Sequence, residues 1–340
     1  MNKRKVLIIY TGGTIGMVRN HLTGGLVAFD FNHLFDQIPE LNRLDVSLNS
    51  ISFEQPIDSS EINPNVWRVL SSLIFENYDL YDGFVVLHGS DTMSFTASAL
   101  SFMLQGLKKP IVFTGSQLPI GTIRTDGKEN FITSIEIAAM TDENGEAIVQ
   151  EVAVYFEYSL YRGNRTSKIS ASEFEAFKSG NYPELARAGV DINFNKNAIH
   201  RSTLKELKYF PDLDARIAHI TLFPGINFEF YESLFNAEKV KGIILSTFGS
   251  GNGPNDPTMI KLMTDYIASG GHILNITQCL TGSVQQGKYD ASKQFLQAGV
   301  LGGASITTEA AITKMMHLLA NNADYKDVRQ KLDQNICGEL

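Results

Sequence analysis

The sequence predicts an α/β protein with a larger N-terminal, mainly parallel-sheet domain and a smaller C-terminal α/β domain. Three observations carry this expectation. Short apolar runs with a β-branched bias recur along the chain, most of them followed by a glycine-bearing turn. Helical segments fall between the runs, which is the alternation that builds parallel sheets. The pattern weakens once, over 191–214, where Asn193, Asn195 and Asn197 are followed by mixed charges and Pro211. That stretch is expected to connect a domain at 1–190 to one at 215–340.

The first strand, Val6-Leu7-Ile8-Ile9-Tyr10, runs into Thr11-Gly12-Gly13-Thr14-Ile15-Gly16. Two glycines permit φ > 0, so the turn can be sharp and a ligand can approach the main chain. Hydroxyls just past the end of a central strand sit where open α/β sheets put their ligand crevice. A plain connector, a dinucleotide loop and a turn presenting Thr14 as nucleophile all compete here. The dinucleotide reading needs G-x-G-x-x-G opening a helix. Residues 17–25 instead have no apolar stripe, are broken by Gly24 and Gly25, and read as a mobile loop.

A helix is expected over 31–37 and a strand over 46–53. Asp58-Ser59-Ser60-Glu61 is a polar break, after which Asn63 can cap a helix with Pro64 at its first position. Trp67, Leu70, Leu73 and Ile74 form the apolar stripe of that helix, and Trp67 reads as a core residue. The strand 83–87 ends in His88-Gly89-Ser90-Asp91-Thr92-Met93. A helix over 94–107 crosses to the strand 111–113, which ends in Thr114-Gly115-Ser116. A helix over 128–140 leads to the strand 152–156 and then to the cationic segment Tyr161-Arg162-Gly163-Asn164-Arg165-Thr166-Ser167-Lys168. In the second domain, strands are expected at 217–223, 243–247 and 272–276, and helices at 257–268, 307–320 and 324–334.

Composition narrows the function classes. The 340 residues carry 37 acidic against 29 basic groups, a net charge of −8, which argues against a nucleic-acid partner or an anionic membrane surface. Two cysteines, Cys279 and Cys337, form no C-x-x-C, so a reducing compartment fits. The apolar run after Lys3-Arg4-Lys5 is too short for a signal peptide, and no stretch approaches the ~20 apolar residues of a membrane span. A cytoplasmic location is expected, with the sequons at Asn164 and Asn275 as chance matches.

Three strand ends carry hydroxyls beside glycine: Thr11/Thr14, Ser90/Thr92 and Thr114/Ser116. If the strands are neighbours in one parallel sheet, these hydroxyls converge on one crevice. Asp91 adds a carboxylate and Lys168 an ammonium. A threonine hydroxyl is a weak nucleophile until a base or cation activates it, and a lysine beside a carboxylate can serve. Taken singly, each hydroxyl has a plainer reading as a helix cap or turn filler. Competing sets are thin, since G-x-S-x-G and G-x-x-x-x-G-K-[ST] are both absent. Seven histidines show no H-x-x-x-H or H-x-H spacing, so no metal site is expected. His88 reads as a hydrogen-bonded structural histidine rather than a general base. Asp58, Ser59 and Ser60 can hydrogen-bond a small zwitterion or simply form a turn.

These segments resemble the bacterial-type L-asparaginases, in particular their cytoplasmic (type I) branch. Thr11-Gly12-Gly13-Thr14-Ile15-Gly16 is similar to the family's first signature and Leu87-His88-Gly89-Ser90-Asp91-Thr92-Met93 to its second. Tyr161–Lys168 and Phe248-Gly249-Ser250-Gly251-Asn252-Gly253 resemble two further site segments. The resemblance implies hydrolysis of L-asparagine to L-aspartate and ammonia without cofactor or metal. Thr14 would attack the amide carbon, and Ser90, Asp91 and Lys168 would complete the catalytic set. Asp91 would hold the substrate's α-ammonium, Ser59 its α-carboxylate, and Ser116 would line the pocket near the amide. The resemblance further implies a homo-oligomer, a dimer or a dimer of dimers, in which Asn252 and Tyr289 reach a neighbouring subunit's site.

Two departures from the family pattern stand out. Ser90 replaces the threonine of His-Gly-Thr-Asp, which removes a β-branched restriction on χ1. The stretch 18–28 has no tyrosine, where the family's lid loop carries one that bonds the nucleophile. The alternatives are a glutaminase or broader amidohydrolase, a non-catalytic amino-acid-binding regulator, and the asparaginase-like subunit of a tRNA-dependent amidotransferase. The acidic charge disfavours the last.

Overall fold

The computed structural model describes residues 3–19, 26–28, 38–288 and 290–340. The chain divides into two units, Met1–Pro211 and Asp212–Leu340.

In the first unit, strand β1 (Arg4–Tyr10) is apolar from Val6 onward, and Val6 to Tyr10 are all buried. A strand apolar on both faces is stable only inside a sheet covered on both sides. Beyond it, β2 (Met17–Arg19) pairs antiparallel with β3 (Leu26–Ala28). The stretch 17–25, expected as a mobile loop, thus begins in a strand, Met17–Arg19; three-residue strands are too short to leave a period in the sequence. The helix expected over 31–37 lies outside the described residues.

β4 (Val46–Ser52) and β5 (Gly83–Leu87) flank β1 in parallel, with Val6 opposite Leu48 on one side and Gly83 on the other. Helix α1 (Pro64–Asn77) joins them, with Asn63 as its cap and Pro64 at its first position, as expected. Trp67, Leu70 and Ile74 are buried on its inner face. Helix α2 (Met93–Met103) stops short of 107 because Leu104–Gln105 becomes β6. β7 (Ile111–Thr114) pairs in parallel with β5, helix α3 (Gly127–Ala139) follows, and β8 (Val152–Phe156) pairs in parallel with β7.

The chain then reverses. Glu157 and Tyr158, at φ 42 and 68, form a tight hairpin turn into β9 (Ser159–Arg162). β10 (Ser167–Lys168) pairs with β11 (Phe177–Lys178), while β12 (Ala186–Ala188) and β13 (Ile192–Phe194) extend the main sheet antiparallel. Among the described residues that sheet has eight strands in the order β13-β12-β9-β8-β7-β5-β1-β4. The stretch 191–214 thus holds the edge strand β13, and β14 (Lys208–Tyr209), which pairs with β6. Both are only two or three residues long, too short to leave a periodic signal in the sequence.

The second unit is smaller and follows the same logic. β15 (Ile217–Thr221), β16 (Gly242–Thr247), β17 (His272–Thr277) and β18 (Leu301–Gly302) form a parallel sheet in that order. Helices α4 (Pro257–Ala268), α5 (Asp290–Ala298), α6 (Thr308–Asn321) and α7 (Tyr325–Leu332) accompany it. Lys314 of α6 and Glu339 are both fully buried and lie 2.8 Å apart. The Lys314 ammonium also donates to the carbonyls of Leu332 and Gln334, and the Glu339 carboxylate accepts the N–H groups of Ile336 and Cys337.

Asn164 and Asn275 are completely buried, so neither sequon is open to a glycan in the folded chain. No described helix is long and apolar enough to cross a membrane.

Candidate active site

The strand order brings the three hydroxyl-bearing strand ends together, because β1, β5 and β7 are adjacent and parallel. Their C-terminal turns open on one crevice. Not every hydroxyl there is available. Thr11 Oγ1 donates to the Leu87 carbonyl at 3.0 Å, Thr114 Oγ1 to Tyr155 at 2.9 Å, and Thr92 Oγ1 to Ser59 at 2.6 Å. Ser116, almost fully buried, donates to the Leu118 carbonyl at 2.6 Å. Thr14 and Ser90 remain half-buried beside the crevice.

Close backbone approach builds the site. Gly12 lies at φ 139, and a Cβ there would stand 2.1 Å from the Ile57 carbonyl oxygen. Gly13 lies at φ 89, and its Cβ would stand 2.5 Å from Gly89 Cα. A Cβ on Gly89 would in turn meet Ser59 Oγ at 2.7 Å. The turns carrying Thr14, Ser59 and Ser90 are thus pressed together along surfaces that only glycine can supply.

Thr14 opens a single 3₁₀ turn, Thr14–Gly16. Beneath it, the Tyr10 hydroxyl donates between the carbonyls of Gly16 and Gly13, at 3.2 and 3.4 Å. Burial pushes the Tyr10 phenol up to about 12, so it stays protonated and keeps donating. The sequence reading took Tyr10 only as a strand residue; the signal was its position directly before the glycine turn.

Lys168 closes the constellation. Its Nζ lies 2.8 Å from Ser90 Oγ and 2.7 Å from Asp91 Oδ1, and Ser59 Oγ donates to Asp91 Oδ2 at 3.4 Å. The lysine side chain is 16% exposed and the aspartate 66%. An ion pair that open contributes little stability, about 0–1 kcal/mol, so its consequence is placement. The segment that delivers Lys168 is anchored by Arg162, a residue whose role the sequence did not reveal. Its Nε meets Glu151 at 2.7 Å in a buried pair, its guanidinium lies 4.2 Å from the Tyr182 ring centroid, and its carbonyl accepts from Thr166 Oγ1 at 2.6 Å.

The other expected site residues are distributed unevenly. Asp58 and Ser60 are exposed and bonded to each other, the Asp58 carboxylate accepting from Ser60 N–H at 2.9 Å and Ser60 Oγ at 2.8 Å. Those bonds hold the Asp58 carboxyl below its ordinary value. Asn252 belongs to the second unit, where its Oδ1 is buried without a hydrogen-bond partner. Tyr289 lies outside the described residues. His88 is buried with both ring nitrogens hydrogen-bonded, as the structural reading expects.

Comparison with known proteins gives the same family for each unit. Residues 5–200 match the model described as "Asparaginase, N-terminal", and residues 216–332 match "Glutaminase/Asparaginase C-terminal domain". The chain is 38% identical over 341 residues to L-asparaginase 1 of Escherichia coli (strain K12), covering 100% of this chain and 99% of that one. It is 34% identical over 364 residues to the 60 kDa lysophospholipase of Mus musculus, covering 99% of this chain and 63% of that protein. Among solved structures, L-asparaginase I from Vibrio cholerae O1 biovar eltor str. N16961 superposes with a TM-score of 0.89 at 36% identity, covering 99% of both chains. Sequence, architecture and the crevice at the ends of β1 and β5 agree, and the chain belongs to the asparaginase family.

Proposed function

We propose that this protein hydrolyses L-asparagine to L-aspartate and ammonia through a covalent acyl-enzyme on Thr14. The observation that carries the reading is the Lys168 ammonium bonded at once to Ser90 and Asp91, whose turn packs through Gly89 against the backbone of Gly13, the residue before Thr14. The name of the Escherichia coli relative supports the substrate.

In this reading the Thr14 hydroxyl attacks the side-chain amide carbon, and its proton is relayed along the Ser90–Lys168 hydrogen bond. Backbone N–H groups beside Gly13 and Ser90 stabilise the oxyanion. Collapse breaks the C–N bond and returns the proton to the leaving ammonia. Water then attacks the Thr14 ester, its proton passing through the Ser90–Lys168 pair to Thr14 Oγ1 as the ester C–O bond breaks and L-aspartate leaves. Asp91 holds the substrate's α-ammonium. Ser59, with Asp58 and Ser60 ordering its turn, holds the α-carboxylate, and Ser116 shapes the wall near the amide. The steps use hydroxyl, amine and carboxylate groups of the chain and call on no cofactor.

The reading extends to a cytoplasmic homo-oligomer, a dimer or dimer of dimers, in which Asn252 and Tyr289 complete a neighbouring site. The N-terminal domain carries the chemistry and the C-terminal domain the assembly. Ammonia release from L-asparagine by the pure protein, abolished in Thr14→Ala, tests the function; no release from the unaltered protein would favour an amino-acid-binding regulator. Glutamine is the rival substrate that the second family description raises. One methylene discriminates by only ~1–3 kcal/mol, so competing kcat/KM values decide between them.

A further inference from the structure

His88, at the end of β5, is the start of a hydrogen-bond chain whose direction is fully determined. Its Nδ1 lies 2.7 Å from the Gly89 carbonyl oxygen and its Nε2 lies 2.9 Å from Thr96 Oγ1. A carbonyl can only accept, so the ring proton sits on Nδ1 and is donated to Gly89. Burial lowers the His88 imidazole to about 4, which leaves Nε2 with a free lone pair at neutral pH. The Thr96 hydroxyl therefore donates to Nε2. Thr96 Oγ1 in turn accepts the indole N–H of Trp67 at 3.0 Å, and an indole N–H can only donate. Trp67, Thr96 and His88 are buried, and the ring of Phe113 packs edge-on against His88 with centroids 6.0 Å apart. Rotating the imidazole by half a turn would break both of its bonds.

The Gly89 carbonyl belongs to the peptide that links Gly89 to Ser90. In a trans peptide the carbonyl and the following N–H point in opposite directions. With the carbonyl held toward the buried imidazole, the Ser90 N–H points the opposite way, away from that ring. Ser59, packed within 2.7 Å of where a Gly89 side chain would begin, braces the same peptide.

We propose that His88 is a positioning residue for catalysis: through Nδ1–H it locks the Gly89–Ser90 peptide so that the Ser90 N–H meets the oxyanion formed on attack by Thr14. Thr96 and Trp67 hold the imidazole in the required tautomer. The proposal rests on the amidohydrolase reading above and names a further part of its machinery.

Two substitutions separate positioning from packing. The amide nitrogen of asparagine falls near the place of Nδ1, whereas that of glutamine falls near Nε2. His88→Gln is expected to lower kcat by at least about tenfold, short of the ~10²–10³-fold cost of deleting an oxyanion donor. KM should stay within about twofold, as for an interaction made only in the transition state. His88→Asn should recover most of that loss. Equal losses in both variants, or an unchanged kcat in His88→Gln, would overturn the proposal. A second readout does not depend on activity. In ¹⁵N-histidine spectra His88 should appear as a neutral Nδ1–H tautomer, and Thr96→Val should shift both its Nε2 signal and the indole N–H of Trp67, the sole tryptophan. An Nε2–H tautomer would refute the chain of bonds. If the unaltered protein releases no ammonia, the amidohydrolase reading falls and this proposal with it. If it does and His88→Gln is as fast, only the positioning role falls.

Discussion

Gly13 and Gly89 meet backbone to backbone, with no room for a methyl group between them: a Cβ on Gly13 would stand 2.5 Å from Gly89 Cα. Gly13→Ala also forces a side chain into φ 89. The strain alone costs of order 1–3 kcal/mol, and the two turns must move apart to relieve the contact. Displacing a reacting group by about 1 Å costs ~10²-fold in rate. Gly13→Ala should therefore fold with a lower melting temperature and lose at least about a hundredfold in kcat/KM, read by circular dichroism and ammonia release. Gly145→Ala is the control: its φ is 80 but nothing lies within 4 Å, so it should lose some stability and no activity.

Lys168 touches both Ser90 and Asp91, so its removal should be felt in chemistry rather than in folding. Lys168→Met should lower kcat by ~10²–10⁴-fold, the usual worth of a positioned proton carrier, with little change in melting temperature. Ser90→Thr behaves oppositely. It keeps the hydroxyl and restricts χ1, so kcat should hold or rise. A large fall would show that the Ser90 site has no space for a methyl.

Acid lability follows from three imidazoles. Burial holds His88, His272 and His317 down to about 4, against an ordinary value of 6.5. For His272 the nearby Arg329 adds to the effect; for His317 Lys331 adds to it and Glu339 opposes it. Between these values the unfolded chain binds protons that the folded chain refuses. Stability is then complete above about pH 6.5 and falls as pH drops toward 4, each imidazole contributing up to about 3 kcal/mol. Denaturant midpoints measured from pH 8 to pH 4.5 should be level at first and then drop steeply. A flat profile across pH 5–6 would contradict the assignment.

The buried pair in the second unit should be costly to break. Glu339→Gln removes the countercharge of an ammonium with no access to water, and losing one partner of such a pair costs ~3–5 kcal/mol. Lys314→Met combined with Glu339→Leu removes both charges and should recover much of that loss in a denaturant titration. If the double variant is no better than the single one, the pair is not the reason.

The sequence was most informative where periodicity and burial coincide. The runs at 6–10, 83–87, 111–113 and 152–156 emerge as central strands because each is apolar on both faces. The helix starting at Pro64 was readable from its cap together with its apolar stripe. Very short strands such as Ile192–Phe194 were not, since three residues are too few to show a period. Thr14, Ser90, Asp91 and Lys168 were singled out by residue type and by their place at strand ends, and the fold brings Ser90, Asp91 and Lys168 within hydrogen-bond distance. Arg162, Tyr10 and Thr96 were missed because what they do is hold backbone and rings in place, and the partners that reveal this lie elsewhere in the fold.

The Lys314–Glu339 pair also has an order in time. Synthesis delivers the lysine before the glutamate, so the emerging second unit carries an uncompensated ammonium among its helices until residue 339 has been made. The first unit, with all of Thr14, Ser59, Ser90, Asp91 and Lys168 already in hand, can fold while the chain is still being extended. The second unit lacks the buried partner of Lys314 until residue 339 has been added. A ribosome that stalls before residue 339 would hold a first unit able to fold beside a second unit whose buried ammonium still lacks its countercharge.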